Sequence, residues 1–254
     1  MPALHAVAVF AAAFLAGMIN SIAGGGTLVS FPTLIWAGLP PIVANATNTA
    51  AIWPGTLGGM WGYRLELRTV PRRYLALLAP SLTGGIAGAV LLRMTPASAF
   101  SAMVPYLILF ATVLFVAQET IQRWLGLHHG NDQGSGRWLA GAMAFQFLVG
   151  IYGGYFGAGI GILMLAALSL LGMSDIHQMN GLKNVLGGSI NGIAALYFIY
   201  SGMVYWPDVL VMAVAAILGG WASARIARRL GRLFVRRTVA VIGFGMAISL
   251  FFKG

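Results

Sequence analysis

The chain lacks cysteine entirely and has few charged residues, since only 8% of its 254 residues are charged and five are acidic. Without cysteine there is no disulfide, no thiolate nucleophile and no cysteine-ligated metal. The four histidines are not paired with carboxylates inside apolar sequence, nor spaced as metal ligands. We therefore expect no enzyme activity, no catalytic residues, no metal and no cofactor.

The chain is rich in apolar residues. Hydrophobic residues make up 59% of it and the mean hydropathy is +0.86, values typical of an integral membrane protein. The net charge of +10 comes from basic residues that cluster beside apolar runs, as the positive-inside rule describes. The charge therefore indicates membrane topology, and we expect lipid and not nucleic acid as a partner.

The apolar runs form two sets of five. They lie at about 4–22, 27–39, 41–62, 74–92 and 97–117, and then at about 138–156, 159–173, 180–202, 209–224 and 238–252. The segment from Gly17 to Gly26 aligns with Gly150 to Gly159, and Asn48 aligns with Asn184, at a shared spacing of 133 to 136 residues. This spacing predicts an N-terminal repeat over 1–118, a cytoplasmic linker over 119–137 and a C-terminal repeat over 138–254.

The loops predict opposite orientations for the two repeats. Four arginines lie between Tyr63 and Arg73, whereas the equivalent loop from Ser201 to Asp208 has none. Six arginines lie from Arg225 to Arg237, and the equivalent loop near Arg93 has one. Equivalent loops on opposite sides of the membrane indicate inverted repeats, a common construction of secondary transporters.

Each repeat also contains a glycine-rich segment followed by a run too short to cross a hydrocarbon core of about 30 Å. We predict a broken or re-entrant helix there, followed by three spans, in an all-α polytopic protein of about 8 to 10 membrane segments. Irregular backbone at membrane depth is tolerated where it lines a watery cavity. Helix N-termini after Gly26 and Gly159 would add partial positive charge to such a cavity.

Lys183 is the basic residue that lies within an apolar run, and all five carboxylates lie at run ends or in connections. A cation buried there without an acidic partner predicts a small anionic substrate. The helix that carries Lys183 is predicted to start after Ser174-Asp175, and its amides and glycines form one polar stripe. The first repeat offers a matching stripe that ends at Pro54-Gly55, where we expect a kink or break. The candidate substrate-binding residues are Lys183, Asn184, Asn48, Thr47, Asn45, Asn20, Ser21, Gly24, Gly25, Gly26, Thr27, Gly157, Gly159, Asn180 and Asn191.

These residues also have purely structural interpretations. Asparagine and serine join helices within membranes by hydrogen bonds, and glycines permit close helix packing. The Lys183 side chain would reach an interface by extending along the helix.

The segment Gly17-Met18-Ile19-Asn20-Ser21-Ile22-Ala23-Gly24-Gly25-Gly26, with the later Pro32, Gly38-Leu39-Pro40-Pro41 and Ala44-Asn45-Ala46-Thr47-Asn48, resembles the TauE/SafE family, also called sulfite exporters. The resemblance covers essentially the whole chain and implies a permease for sulfite, sulfonates such as sulfoacetate, or related organosulfur anions. The second repeat differs, with Gly153-Gly154 where the first has Asn20-Ser21 and Lys183 where the first has Thr47.

We therefore expect a secondary transporter that works as an exporter in the bacterial inner membrane, with a homo-oligomer left open. The alternatives are an anion channel of the same architecture, a permease for a non-sulfur organic anion, and a scaffold, which would leave Lys183 unexplained. Because no carboxylate lies inside an apolar run, the sequence predicts that the membrane potential drives export, with about 2.3 kcal/mol per charge at 100 mV. His177 is the one imidazole near the site helix that the sequence offers for proton coupling.

Overall fold

A computed structural model describes residues 3–22, 25–126, 136–173, 175–230 and 232–252, and in these ranges the chain is helical without strands. The prediction of an all-α polytopic protein is confirmed. The helices are α1 (Ala3–Ile22), α2 (Thr27–Trp36), α3 (Pro41–Gly62), α4 (Arg64–Leu67), α5 (Leu78–Met94), α6 (Ala97–Gly126), α7 (Gly136–Tyr155), α8 (Ile160–Leu170), α9 (Ile176–Tyr200), α10 (Trp206–Leu230) and α11 (Arg232–Phe251). A 3₁₀ turn over Arg72–Leu77 leads into α5.

Among the described residues, Arg72–Met94 and Ala97–Ala117 have both the length and the hydropathy of a membrane span. Shorter apolar helices accompany them. Many large apolar side chains face outward, including Tyr106, Leu148 and Leu210, and such surface suits contact with lipid tails. The helical bundle is thus apolar both inside and outside.

Two of the helices are only half as long as a membrane is thick. Helix α2 has 10 residues and α8 has 11, which gives each about 15 Å at a rise of roughly 1.5 Å per residue. Each follows a glycine-rich turn and precedes a long helix, α3 of 22 residues or α9 of 25. The predicted short second members of the two pairs are therefore present as short helices.

The packing of the two halves has a two-fold pattern. Helix α1 packs on α10, and its equivalent α7 packs on α5. Helix α3 contacts α10 as α9 contacts α5, while α3 packs against α9 and α6 against α11. A duplicated unit with an approximate two-fold axis would give this set of contacts.

Helices α3 and α9, which are equivalent under the duplication, run antiparallel. The start of α9 lies beside the end of α3, since a side chain at Gly181 would contact Tyr63 and Leu67. Past the other end of α9, the Tyr205 N–H donates to Thr47 Oγ1, near the start of α3, at 2.9 Å. Opposed directions for equivalent helices favour inverted repeats, and the inverted arrangement stays a prediction.

Glycine sets how closely the helices approach. A Cβ atom at Gly154 of α7 would overlap the Gly85 carbonyl of α5, and a Cβ at Gly88 would overlap the Ile151 carbonyl. In the other half, a Cβ at Gly219 of α10 would overlap the Phe14 carbonyl of α1. Backbone-to-backbone contact of this kind is how membrane helices associate without a hydrophobic driving force between them.

One detail of α3 differs from expectation. The helix runs through Pro54 without a break, so a break at Pro54-Gly55 is wrong, and the alternative, a kink, stays a prediction. The Thr56 hydroxyl donates to the Trp53 carbonyl at 2.7 Å, and the Trp53 indole donates to the Gly188 carbonyl of α9 at 3.1 Å. Packing against α9 therefore holds the proline-containing turn in helical form.

Candidate functional site

A polar cavity lies where the two glycine-rich turns approach α3 and α9. Its lining includes residues of both turns and of the starts of α2 and α8. The lining residues are Asn20, Gly25, Thr27, Asn48, Thr49, Ile52, Thr56, Phe156, Gly157, Gly159, Ile160, Gly161, Met164, Lys183, Asn184, Gly187, Gly188 and Asn191. Both halves of the chain thus contribute to one site.

Lys183 is the charged residue of this lining. Its side chain is 9% exposed, and its Nζ donates to Asn180 Oδ1 at 3.1 Å. The Asn180 amide nitrogen in turn donates to the Ile176 carbonyl, which fixes the acceptor that Lys183 uses. Among the residues that the structure describes, no carboxylate forms an ion pair with Lys183. The Lys183 ammonium therefore has spare donors for a ligand in the cavity.

Two asparagines of the lining, Asn20 and Asn48, have amide oxygens that accept hydrogen bonds from protein groups. Asn20 Oδ1 accepts from the N–H groups of Gly25 and Gly26, at 3.1 and 2.8 Å. Asn48 Oδ1 accepts from the Ser30 hydroxyl at 2.6 Å. An amide whose oxygen is occupied has N–H groups left to offer. The lining is thus rich in donors, as an anion requires.

The two half-length helices add partial positive charge. Helix α2 starts after Gly26 and α8 starts after Gly159, and neither start has a side-chain cap. Thr27 and Ile160, their first residues, both line the cavity. Because a helix N-terminus carries partial positive charge, the starts of α2 and α8 favour a negative charge in the cavity.

The second glycine turn depends on glycine itself. Gly157 and Gly159 have φ of +80° and +78°, in the left-handed region that other residues enter only with strain. The Tyr152 hydroxyl donates to the Ala158 carbonyl at 2.7 Å and fixes the turn from within α7. This turn brings the start of α8 against the cavity.

The structure brings together most of the predicted site residues. Lys183, Asn184 and Asn191 of α9 share the cavity with Asn48 of α3, and the glycine turns contribute too. The predicted members in the lining are Lys183, Asn184, Asn191, Asn48, Asn20, Gly25, Thr27, Gly157 and Gly159. The start of α9 is as predicted, since Asp175 caps it by accepting from the N–H groups of His177 and Gln178.

Other predicted residues lie outside the lining and have structural partners. Asn45 donates to the Tyr155 carbonyl at the end of α7, at 2.9 Å. Thr47 accepts from Tyr205, Asn180 supports Lys183, and Gly26 donates to Asn20. Gly24 and the side chain of Ser21 lie outside the described residues, as does Ser174. We do not include Asn45 or Thr47 in the proposed site.

Sequence reasoning missed part of the α3 wall. Ile52 and Thr56 line the cavity beside Asn48 and Thr49. Steps of four residues from Asn48 reach Ile52 and Thr56, so extending the helical period along α3 would have found them.

The apolar helical bundle and the cavity that both of its halves line are typical of a multi-pass membrane protein. Comparison with known proteins supplies the family: a model of the sulfite exporter TauE/SafE family matches residues 9–250, and the chain belongs to this family. No solved structure matches the chain.

The curated relatives are named as transporters. A "Probable membrane transporter protein" of Haemophilus influenzae is 29% identical over 243 residues, which cover 95% of this chain and 92% of the relative. A "Probable membrane transporter protein ORF9" of Sinorhizobium sp is 27% identical over 252 residues, or 98% and 93% of the two chains. The "Probable membrane transporter protein YfcA" of Escherichia coli K12 is 26% identical over 246 residues, or 96% and 88%. This chain is therefore a membrane protein of transporter type.

Proposed function

We propose that the protein is a secondary transporter that exports small sulfur oxyanions or sulfonates across the bacterial inner membrane. The observation that carries the proposal is Lys183, a buried ammonium without a carboxylate partner among the described residues, which lines a cavity shared by both halves. The family's description as sulfite exporters supplies the sulfur chemistry. The donor-rich asparagines and the two helix N-termini favour an oxyanion over a cation.

In this proposal each group has one task. Lys183 supplies the positive charge, and the amide nitrogens of Asn20 and Asn48 donate to oxygens of the anion. The starts of α2 and α8 stabilise the remaining negative charge. Three oxygens on sulfur, as in sulfite or a sulfonate, would accept from several of these donors at once.

In this proposal, the two inverted repeats give the anion access to the site from both sides of the membrane. The cavity lies between equivalent elements of the two halves, and a binding site at a repeat interface is typical of transporters that work by alternating access. Rocking one repeat against the other would open the cavity alternately to the two sides.

Exchange in proteoliposomes tests the proposal. We expect vesicles preloaded with unlabelled sulfite or sulfoacetate to accumulate the labelled anion transiently, with saturable initial rates. Sulfate and taurine serve as comparison solutes, and protein-free vesicles as the control. Rates that rise linearly with concentration, without acceleration by anion on the far side, would establish the channel alternative instead. An absence of exchange for all four solutes would rule out the proposed function.

Cysteine labelling tests the inverted topology, and the natural absence of cysteine makes single-cysteine variants direct. We expect cysteines at Arg68 and Arg232 to react with an impermeant maleimide from the cytoplasmic side only, because arginines cluster around both positions. A cysteine at Met203 should react from the outside only. Reaction of Met203 and Arg232 from the same side would indicate a parallel duplication.

A further inference from the structure

One buried carboxylate of the bundle lies away from the cavity. Asp208, in the first turn of α10, is 0% exposed. Its Oδ1 lies 2.9 Å from Nε2 of His5 on α1, and its Oδ2 is buried without a hydrogen-bond partner. By sequence His5 lies near the start of the chain and Asp208 at the end of an apolar run, and the bundle joins them as an internal pair.

We propose that His5 and Asp208 form a proton-binding site that makes anion exchange depend on pH. With a proton bound, imidazolium and carboxylate have no net charge between them. Loss of the proton leaves the buried carboxylate charge uncompensated, and such a charge is costly without a partner. Proton loss therefore weakens the contact that holds the start of α1 to the start of α10.

Among the described residues, no other charged side chain of the surrounding helices is placed to replace this proton. By sequence α2, which packs on α1, and α3, which packs on both α1 and α10, contain no ionisable acid, base or histidine, and His5 is the one such residue of α1. The other charges of α10 and of its neighbour α11 are arginines at the far end of α10 and the start of α11. The Met1 amino group and Lys253 lie outside the described residues.

The position of His5 on α1 allows the His5–Asp208 pair to act on the cavity through this helix. Near the middle of α1 the backbone touches α10 directly, since a Cβ at Gly17 would overlap the Ala216 carbonyl and one at Gly219 the Phe14 carbonyl. His5 lies on one side of this close contact, and Asn20, which holds the first glycine turn, lies just beyond it. If the start of α1 separates from α10, the helix tilts about the close contact. Asn20 then moves with the cavity wall.

The inference rests on the proposed function for its transport readout, so a second readout is independent of transport. Spin labels at Val7 of α1 and Leu210 of α10, whose side chains are 65% and 63% exposed, report the separation of the two helix starts. We expect the distance distribution to shift outward as pH rises from about 6 to 8. Labels at Leu82 of α5 and Phe145 of α7 form the reference pair and should not respond.

In the transport assay, sulfoacetate exchange is measured with equal pH on both sides of the membrane, since sulfoacetate stays fully ionised from pH 6 to 8. We expect the wild-type rate to rise roughly fivefold or more over this range, the lower end of the coupling usual between linked sites. His5→Gln should show the high-pH rate throughout, and Asp208→Asn provides a second variant. His177→Gln, at an exposed residue of α9, is the matched control and should retain the wild-type profile.

The outcomes separate the two proposals. Exchange without pH dependence in the wild type, an unchanged pH profile in His5→Gln, or a spin-label distance that does not change with pH would overturn the proton site alone. Failure of every anion to exchange would remove the proposed function and the pH-dependent transport with it. Should both variants fail to insert, the spin-label pair in the otherwise wild-type chain decides whether protonation holds α1 to α10.

Discussion

Replacing Lys183 with glutamine is expected to lower anion exchange about tenfold to a hundredfold, the loss usual for one hydrogen bond to a charged group. The fold should survive, because the ammonium has no acidic partner among the described residues to leave unpaired. Among the described residues its acceptor is Asn180 Oδ1, and this oxygen can also accept from an amide N–H. The measurement is the initial exchange rate per correctly inserted protein.

Two further variants test whether the loss of positive charge at position 183 causes the loss of anion exchange. Lys183→Arg should restore exchange only in part, since a planar fork replaces a compact ammonium. Arg93→Gln is the matched control: it also removes one positive charge, but from an exposed residue that bonds to Tyr197 and Ser201 at the end of α9. Wild-type exchange by Lys183→Gln would contradict the assigned role.

A methyl group at Gly154 is expected to have the largest effect on stability. The new Cβ would overlap the Gly85 carbonyl, and that atom belongs to helix backbone, so α5 and α7 must move apart. Overpacking of this kind costs about 1–3 kcal/mol, which corresponds to a fall in Tm of roughly 2–10 °C. Thermal unfolding of the purified protein, followed by the monodisperse fraction after heating, measures this change.

Gly141 of the same helix is the matched control for Gly154. A Cβ there meets nothing within 4 Å, and alanine is a better helix former than glycine. Gly141→Ala should therefore leave the Tm equal or slightly higher. Equal losses of Tm in the two variants would mean that the close approach of α5 to α7 does not explain the glycine at position 154.

Much of this architecture was predictable because membrane sequences are constrained by hydropathy. The apolar runs give the helices, and the short runs give α2 and α8 because about ten apolar residues cannot cross a bilayer. Asp175 was predictable as a cap because its side chain accepts N–H groups that the first turn leaves unpaired. Lys183 stood out because a charge within an apolar run is rare.

The orientation of individual side chains was less predictable. Asn45 and Thr47 lie three and one residues before Asn48, yet one supports the end of α7 and the other an interhelical loop. Residues within one helical turn contact different neighbouring segments of the chain, and the sequence does not show which segments these are.

The partnership of His5 with Asp208 depends on tertiary structure, since 203 residues separate them. Each residue alone is ordinary at a helix start. The sequence argument for transport driven by the membrane potential assumed that no carboxylate is held inside the bundle. Buried Asp208 removes that assumption.

A direct binding measurement tests the central claim that the cavity around Lys183 holds an anion. Titration calorimetry of the purified protein with sulfite and with sulfoacetate compares wild type, Lys183→Gln and Arg93→Gln under identical conditions. We predict saturable binding to wild type and to Arg93→Gln, and an affinity for Lys183→Gln that is lower by about tenfold or more. Equal affinity of the wild type and Lys183→Gln for the bound anion would contradict the account.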